Sequence, residues 1–304
     1  MVADNDWAAA RREIKDSRYW VSPVGRRPRW RKKIFDALLA TLGVGLRLTP
    51  WHAIGQRNVL DLQLRCHEFT LAGLPANFDG YSLLHVSDPH LDVCPALVDR
   101  TRDLVSGLEV DLLVFTGDTL GDDHTPAGHA ADLLAEALQD VRVRDRRLAI
   151  LGNHDPVEMV GELERVGFDV LVNRTVKIWR GEDRLSVTGL DDVHSFYTPR
   201  ARAALGAAID GCAIVLVHSP ELADHAAQAG YSLYLSGHTH GGQIALPGGR
   251  PIITQLTRCW DAAVGPWQHG QLVGYTSSGL GVSPPAVRFN TRGEVALLTL
   301  RSPS

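Results

Sequence analysis

Five short apolar runs, each followed by side chains that ligate metals, restrict this chain more than any other feature. The runs are Ser82-Leu83-Leu84-His85-Val86, Asp111-Leu112-Leu113-Val114-Phe115, Leu148-Ala149-Ile150-Leu151, Ala213-Ile214-Val215-Leu216-Val217 and Tyr231-Ser232-Leu233-Tyr234-Leu235. Each has the length and near-continuous apolarity of a strand buried on both faces. The intervening stretches read as helices at roughly 95–107, 126–140, 156–167, 199–208 and 220–229, long enough to serve as crossovers between parallel strands. Past the carboxyl ends stand Asp88 and His90, then Asp118, then Asn153 and His154, then His218, then His238 and His240. Ligands of α/β sheets bind beyond the carboxyl ends of strands, so five such ends can deliver these groups to one point. Residues two apart in extended chain face the same way, which aims Asp88 with His90, and His238 with His240, at one site. Gly117, Gly152, Gly237, Gly241 and Gly242 adjoin them and allow the tight turns and close approaches such a site needs.

Histidine, carboxylate and amide donors without thiolate suit Mn²⁺, Fe²⁺ or Zn²⁺. The seven ligands Asp88, His90, Asp118, Asn153, His218, His238 and His240 are too many for one ion with an open position. They suffice for two divalent metal ions about 3.5–4 Å apart that share a carboxylate, with room for a hydroxide and a phosphate oxygen. Asp118 is assigned as the bridge.

In order, Asp88-Pro89-His90, Gly117-Asp118, Gly152-Asn153-His154-Asp155, a lone His218 and Gly237-His238-Thr239-His240 resemble the motifs of the calcineurin-like metallophosphoesterases. The likeness spans roughly residues 60–300. Gly241-Gly242-Gln243, Gly279-Leu280-Gly281, Pro285 and Arg288 resemble the bacterial branch of membrane-associated phosphodiesterases and UDP-2,3-diacylglucosamine diphosphatases. The resemblance implies an α/β fold of two facing mixed β-sheets flanked by helices, a four-layer αββα sandwich. It implies one metal on Asp88, His90, Asp118 and His240, the other on Asp118, Asn153, His218 and His238, and His154 as the catalytic imidazole. The function expected is hydrolysis of a phosphodiester or pyrophosphate bond by a metal-bridging hydroxide, on a phosphate-ester small molecule or a lipid-linked nucleotide. A phosphomonoesterase or protein phosphatase is the alternative; a non-catalytic scaffold fits poorly with an intact ligand set. Gly121 departs from the pattern, because many relatives carry an acid three positions after the Asp118 equivalent.

Residues 1–60 differ from the phosphoesterase domain expected over 61–304. Arg26, Arg27, Arg29, Arg31, Lys32 and Lys33 precede an apolar stretch from Ile34 to Leu48, in which Ile34, Phe35, Leu38, Leu39 and Leu42 share a helical face. That amphipathic helix is too short to span a bilayer. It fits a peripheral anchor on an anionic membrane surface, on the cytoplasmic side, with docking on the protein's own core as the competing reading. A twin-arginine export signal fits Arg26-Arg27 poorly. With a net charge of −4 among 304 residues, the chain has no global pull toward nucleic acid.

Other residues receive plainer readings. The four cysteines, at 66, 94, 212 and 259, lack ligand spacing and read as small buried hydrophobes. Asp155-Pro156-Val157-Glu158 reads as a helix N-cap with a capping-box glutamate. His85 reads as a core or supporting histidine, Asp191-Asp192 as a solvated loop pair, and His124, His129, His194, His225 and His269 as surface or structural. Trp51, Trp260 and Trp267 fit either an apolar rim or the core.

Overall fold

A computed structural model describes residues 5–303. The chain opens with α1 (Asn5–Asp16), the hairpin β1 (Tyr19–Ser22) and β2 (Gly25–Pro28), α2 (Arg29–Arg47) and α3 (Trp51–Val59). There follow β3 (Gln63–Thr70), β4 (Tyr81–Val86), α4 (Leu97–Val105), β5 (Glu109–Phe115), α5 (Ala127–Ala137), β6 (Arg142–Ala149), α6 (Met159–Arg165) and β7 (Asp169–Val170). The second half comprises β8 (Arg174–Arg180), β9 (Asp183–Gly189), α7 (Pro199–Leu205), β10 (Ala213–Leu216), α8 (Ala223–Ala229), β11 (Leu233–Ser236), β12 (Gly265–His269), β13 (Leu272–Thr276) and β14 (Glu294–Arg301).

Twelve of these strands build two six-stranded mixed sheets, in the orders β3-β14-β4-β5-β6-β7 and β12-β13-β11-β10-β9-β8. In the first, β4 to β7 run parallel and β14 lies antiparallel to β4. In the second, β9, β10, β11 and β13 are parallel, with β8 and β12 antiparallel at the edges. The five runs are therefore split three and two between facing sheets.

Strand alternation explains why those runs are continuously apolar. Leu83, Leu112, Val114, Leu148 and Ile150 of one sheet meet Leu185, Val187, Ile214, Leu216, Leu233 and Leu235 of the other. Their neighbours Leu84, Val86, Leu113 and Phe115 turn to the opposite side, against Leu97, Ala131, Leu134 and Leu163 of the α4–α6 layer. Ala213, Val215 and Tyr234 likewise pack on Ala201, Leu205 and Ala226 of α7 and α8. Both sheets thus lack a wet face in their centres, and the four layers are helix, sheet, sheet, helix.

The N-terminal segment is seated on this body, and its residues 1–4 lie outside those described. Trp7 and Ala8 join the core beneath α4–α6, and Val21 forms a bridge to Phe196. The amphipathic helix expected over 34–48 is α2. Its exposed residues include Trp30, Ile34, Leu38 and Leu42, while Phe35 and Leu39 are half-buried and Gly43 is buried. No helix among the described residues is long and apolar enough to cross a membrane. Cys66, expected inside, is exposed on the edge strand β3; all four cysteines are free.

Candidate metal centre

The carboxyl ends of β4, β5 and β6 in one sheet and of β10 and β11 in the other open toward a common point. Asp88, His90 and His240 form one group of potential ligands, and Asp118, His218 and His238 a second, each within 4.8 Å internally. The groups adjoin: His90 Nε2 lies 3.8 Å and His218 Nε2 3.3 Å from Asp118 Oδ2, and His240 Nε2 lies 3.5 Å from Asp88 Oδ1. Asn153 and His154 follow β6 and are half-buried. Their turn is tied to Asp118 by the His154 main-chain N–H, which donates to Asp118 Oδ1 at 2.9 Å. The His154 ring sits edge-on to His90, centroids 5.7 Å apart.

Strand alternation does not aim Asp88 with His90, or His238 with His240, as the two-residue spacing leads one to expect. All four, and Asp118, have left-handed backbone, with φ from 39° at His90 to 62° at Asp118 and His238. Non-glycine residues held there are strained by about 1–3 kcal/mol each, a cost concentrated at functional sites. Two glycines make the crowding possible. A methyl at Gly237 would overlap Ser87 Oγ and Asp88 Oδ2, and one at Gly152 would overlap Asp118 Oδ1.

The donor atoms fit divalent cations. Asp88 Oδ1, His90 Nε2, Asn153 Oδ1, His238 Nε2 and His240 Nδ1 are buried without a hydrogen-bond partner, and each such atom costs about 1–3 kcal/mol unless something binds it. The opposite ring nitrogens are anchored: His90 Nδ1 donates to the Leu120 carbonyl at 2.7 Å, and His218 Nδ1 to that of Thr116 at 2.8 Å. This fixes their tautomers and leaves Nε2 with its lone pair. Burial lifts the Asp88 carboxyl to about 6, with the Asp118 charge adding, and lowers His90 to about 4. Burial also lowers His238 and His240. A cation at the centre reverses the penalty on Asp88 and suits neutral imidazoles.

Behind the ligands lies a relay of hydroxyls. Ser87 Oγ donates to Asp88 Oδ2 at 2.6 Å, and Thr116 Oγ1 donates to Ser87 Oγ at 2.7 Å. His85 Nε2 stands 2.9 Å from Thr116 Oγ1; with that hydroxyl proton already committed, Nε2 is the donor. His85 is thus a buried neutral histidine at the end of a chain that points Asp88 Oδ1 into the centre. Asp155 does not cap a helix, since α6 starts at Met159. Its carboxylate accepts the N–H groups of Asp118 at 2.9 Å, Thr119 at 2.8 Å and Gly152 at 2.9 Å, binding the two ligand loops together. At Gly121 a side chain would strike Val93 and His90, and the local acid comes instead from Asp92, which accepts the Gly121 N–H at 2.9 Å.

Three residues read as plain or solvated belong to this site's wall. Asp191 and Asp192 are fully buried, the first paired with Arg11, the second accepting the N–H groups of His194 and Ser195. His194 packs on His238, ring centroids 4.4 Å apart, and its Nδ1 lies 2.9 Å from Glu221. Burial opposes ionisation of Glu221, but His194 and Thr257 hold it down to about 2. Their signal was present in the sequence, because they follow β9 as the other acids and histidines follow their strands. Trp51 and Trp260 are exposed, whereas Trp267 packs on Tyr234.

The calcineurin-like phosphoesterase family profile matches residues 81–242. The uncharacterized metallophosphoesterase YkuE of Bacillus subtilis is 29% identical over 286 residues, covering 90% of this chain and 98% of its own length. YkoQ of the same organism, also an uncharacterized metallophosphoesterase, is 30% identical over 268 residues, with coverages of 85% and 97%. The phosphodiesterase YaeI of Escherichia coli is 27% identical over 241 residues, with coverages of 76% and 86%.

Proposed function

The chain belongs to the calcineurin-like phosphoesterase family and is a metal-dependent phosphoesterase; from that premise we propose that it cleaves a phosphodiester or pyrophosphate bond at a dinuclear centre. The observation that carries this reading is the set of buried, unpartnered donor atoms of Asp88, His90, Asn153, His238 and His240 at three strand ends, beside Asp118 and His218 at two more. One ion would be held by Asp88, His90, Asp118 and His240, and the other by Asp118, Asn153, His218 and His238. When bound, the ions supply an activated water and screen charge on the phosphate oxygens. Mn²⁺, Fe²⁺ or Zn²⁺ suit the donors.

The chain's own residues do the rest. Asp88 is pointed by Ser87, and His90 and His218 are held by carbonyls, so the ligand atoms need no rearrangement on binding. His154 belongs to neither ligand group and is more exposed than His90 beside it. Its ring offers a proton to the leaving oxygen. A diester or diphosphate is favoured over a monoester by the likeness to a phosphodiesterase.

A lipid-linked nucleotide suits the exposed face of α2. Trp30, Ile34, Leu38 and Leu42 expose an apolar stripe beside Arg31, Lys32 and Lys33, the combination that lies on an anionic lipid surface. The test of the chemistry compares Mn²⁺-supported hydrolysis of bis-p-nitrophenyl phosphate with that of p-nitrophenyl phosphate, with Asp118→Asn as control. Faster diester cleavage, lost in the variant, is expected. Preference for the monoester would replace the proposal with a phosphomonoesterase.

A further inference from the structure

We propose that Arg11, on the N-terminal helix α1, is a positioning residue of the metal centre that pins the Asn153–His154 turn from outside the phosphoesterase motifs. This role rests on the reading of Asn153 as a ligand of the second ion.

Arg11 is 2% exposed, a deep burial for a charged side chain. Its Nη2 donates to the Gly152 carbonyl at 2.7 Å and to the Asp155 carbonyl at 2.8 Å. These two carbonyls bracket Asn153 and His154, so a single nitrogen ties both ends of the turn. Nη1 is paired with Asp191, which also accepts the Trp7 indole N–H at 2.7 Å. The guanidinium plane lies over Phe196, 4.0 Å from its centroid. The fork is therefore fixed on three sides, and its direction is set by α1 and the loop after β9 together.

Desolvating a guanidinium costs several kcal/mol unless its donors are well satisfied, and burial lowers Arg11 to about 10. A helix that needed only to cover apolar surface would place an apolar residue there, as it does with Trp7 and Ala8. Arg12, one residue on, makes an exposed pair with Glu158. What Arg11 adds is a rigid hold on main-chain carbonyls, which a planar fork provides and a flexible ammonium does not. Loss of groups that orient metal ligands lowers metal affinity or activity by about 10–100-fold.

The test uses the full chain as wild type, Arg11→Met, Arg11→Lys and Arg12→Met. Calorimetric Mn²⁺ titration reads two affinities, and kcat and KM are measured on bis-p-nitrophenyl phosphate, with thermal melting to establish folding. In folded Arg11→Met the weaker Mn²⁺ affinity falls about 10–100-fold and kcat falls more than KM rises. Arg11→Lys recovers part of the loss, and Arg12→Met matches wild type. Unchanged Mn²⁺ affinities in folded Arg11→Met overturn the proposal, and so does an Arg11→Lys protein equal to wild type, because charge alone would then suffice. If Arg11→Met does not fold, the affinity of Arg11→Lys decides alone. A wild type that binds two Mn²⁺ ions but leaves the ester intact refutes the diesterase reading and not the role of Arg11.

Discussion

Asp118 is fastened from both sides: its Oδ1 accepts the His154 N–H, and its own N–H donates to Asp155 Oδ2. Such ties offset the left-handed backbone at five of the ligands and keep a crowded set of acids and imidazoles in place. They also leave a pH signature at His85, whose burial lowers its pKa from 6.5 to about 3. The unfolded chain takes up this proton below pH 6.5 and the folded one only near 3. The stabilisation is therefore complete above 6.5 and is lost as pH falls, by about 1.4 kcal/mol per pH unit. Urea unfolding of the Mn²⁺-loaded protein between pH 7 and 5 should show a steeper loss in wild type than in His85→Gln, which keeps a donor toward Thr116. Equal slopes would contradict a neutral buried His85. The seven candidate ligands and His154 stand out in the sequence because short motifs at strand ends announce them. Arg11 does not, because its partners at Gly152, Asp155 and Asp191 lie 141 to 180 residues away and no local spacing encodes them.

Five of the interior strands and the helices between them were legible as elements, whereas interior β9, β13 and β14 and the edge strands were not. β4, β5, β10 and β11 are buried on both faces and read as apolar runs, whereas β3, with the sequence QLRCHEFT, and β12, GPWQH, mix polar and apolar residues. An edge strand buries too little for its composition to betray it. α2 is the opposite case, legible as amphipathic yet carrying its apolar stripe outward. Wild-type protein should sediment at low salt with vesicles of phosphatidylglycerol and phosphatidylcholine. Ile34→Glu combined with Leu38→Glu should stay in the supernatant and hydrolyse a soluble diester as wild type does. Wild-type protein that stays in the supernatant, or a variant that sediments equally, would remove the lipid surface as the occupant of this face.

At the scale of the molecule, two sheets, not one, deliver the candidate ligands. β7, β8 and β9 separate the third apolar run from the fourth, and the chain crosses from one sheet to the other there. Nothing in the runs themselves marks that crossing, since a strand buried between a sheet and a helix layer has the same composition in either sheet; the family resemblance supplied it. The facing arrangement brings His218 and His238 of one sheet against Asp118 and Asp88 of the other, with His218 Nε2 3.3 Å and 3.9 Å from the two carboxylates. The most direct measurement of this account is an anomalous difference map from crystals soaked in Mn²⁺. Two peaks about 3.5–4 Å apart, on either side of the Asp118 carboxylate, with Asp88, His90 and His240 at one and Asn153, His218 and His238 at the other, are the predicted result. A single peak, or none between the two groups, would contradict it.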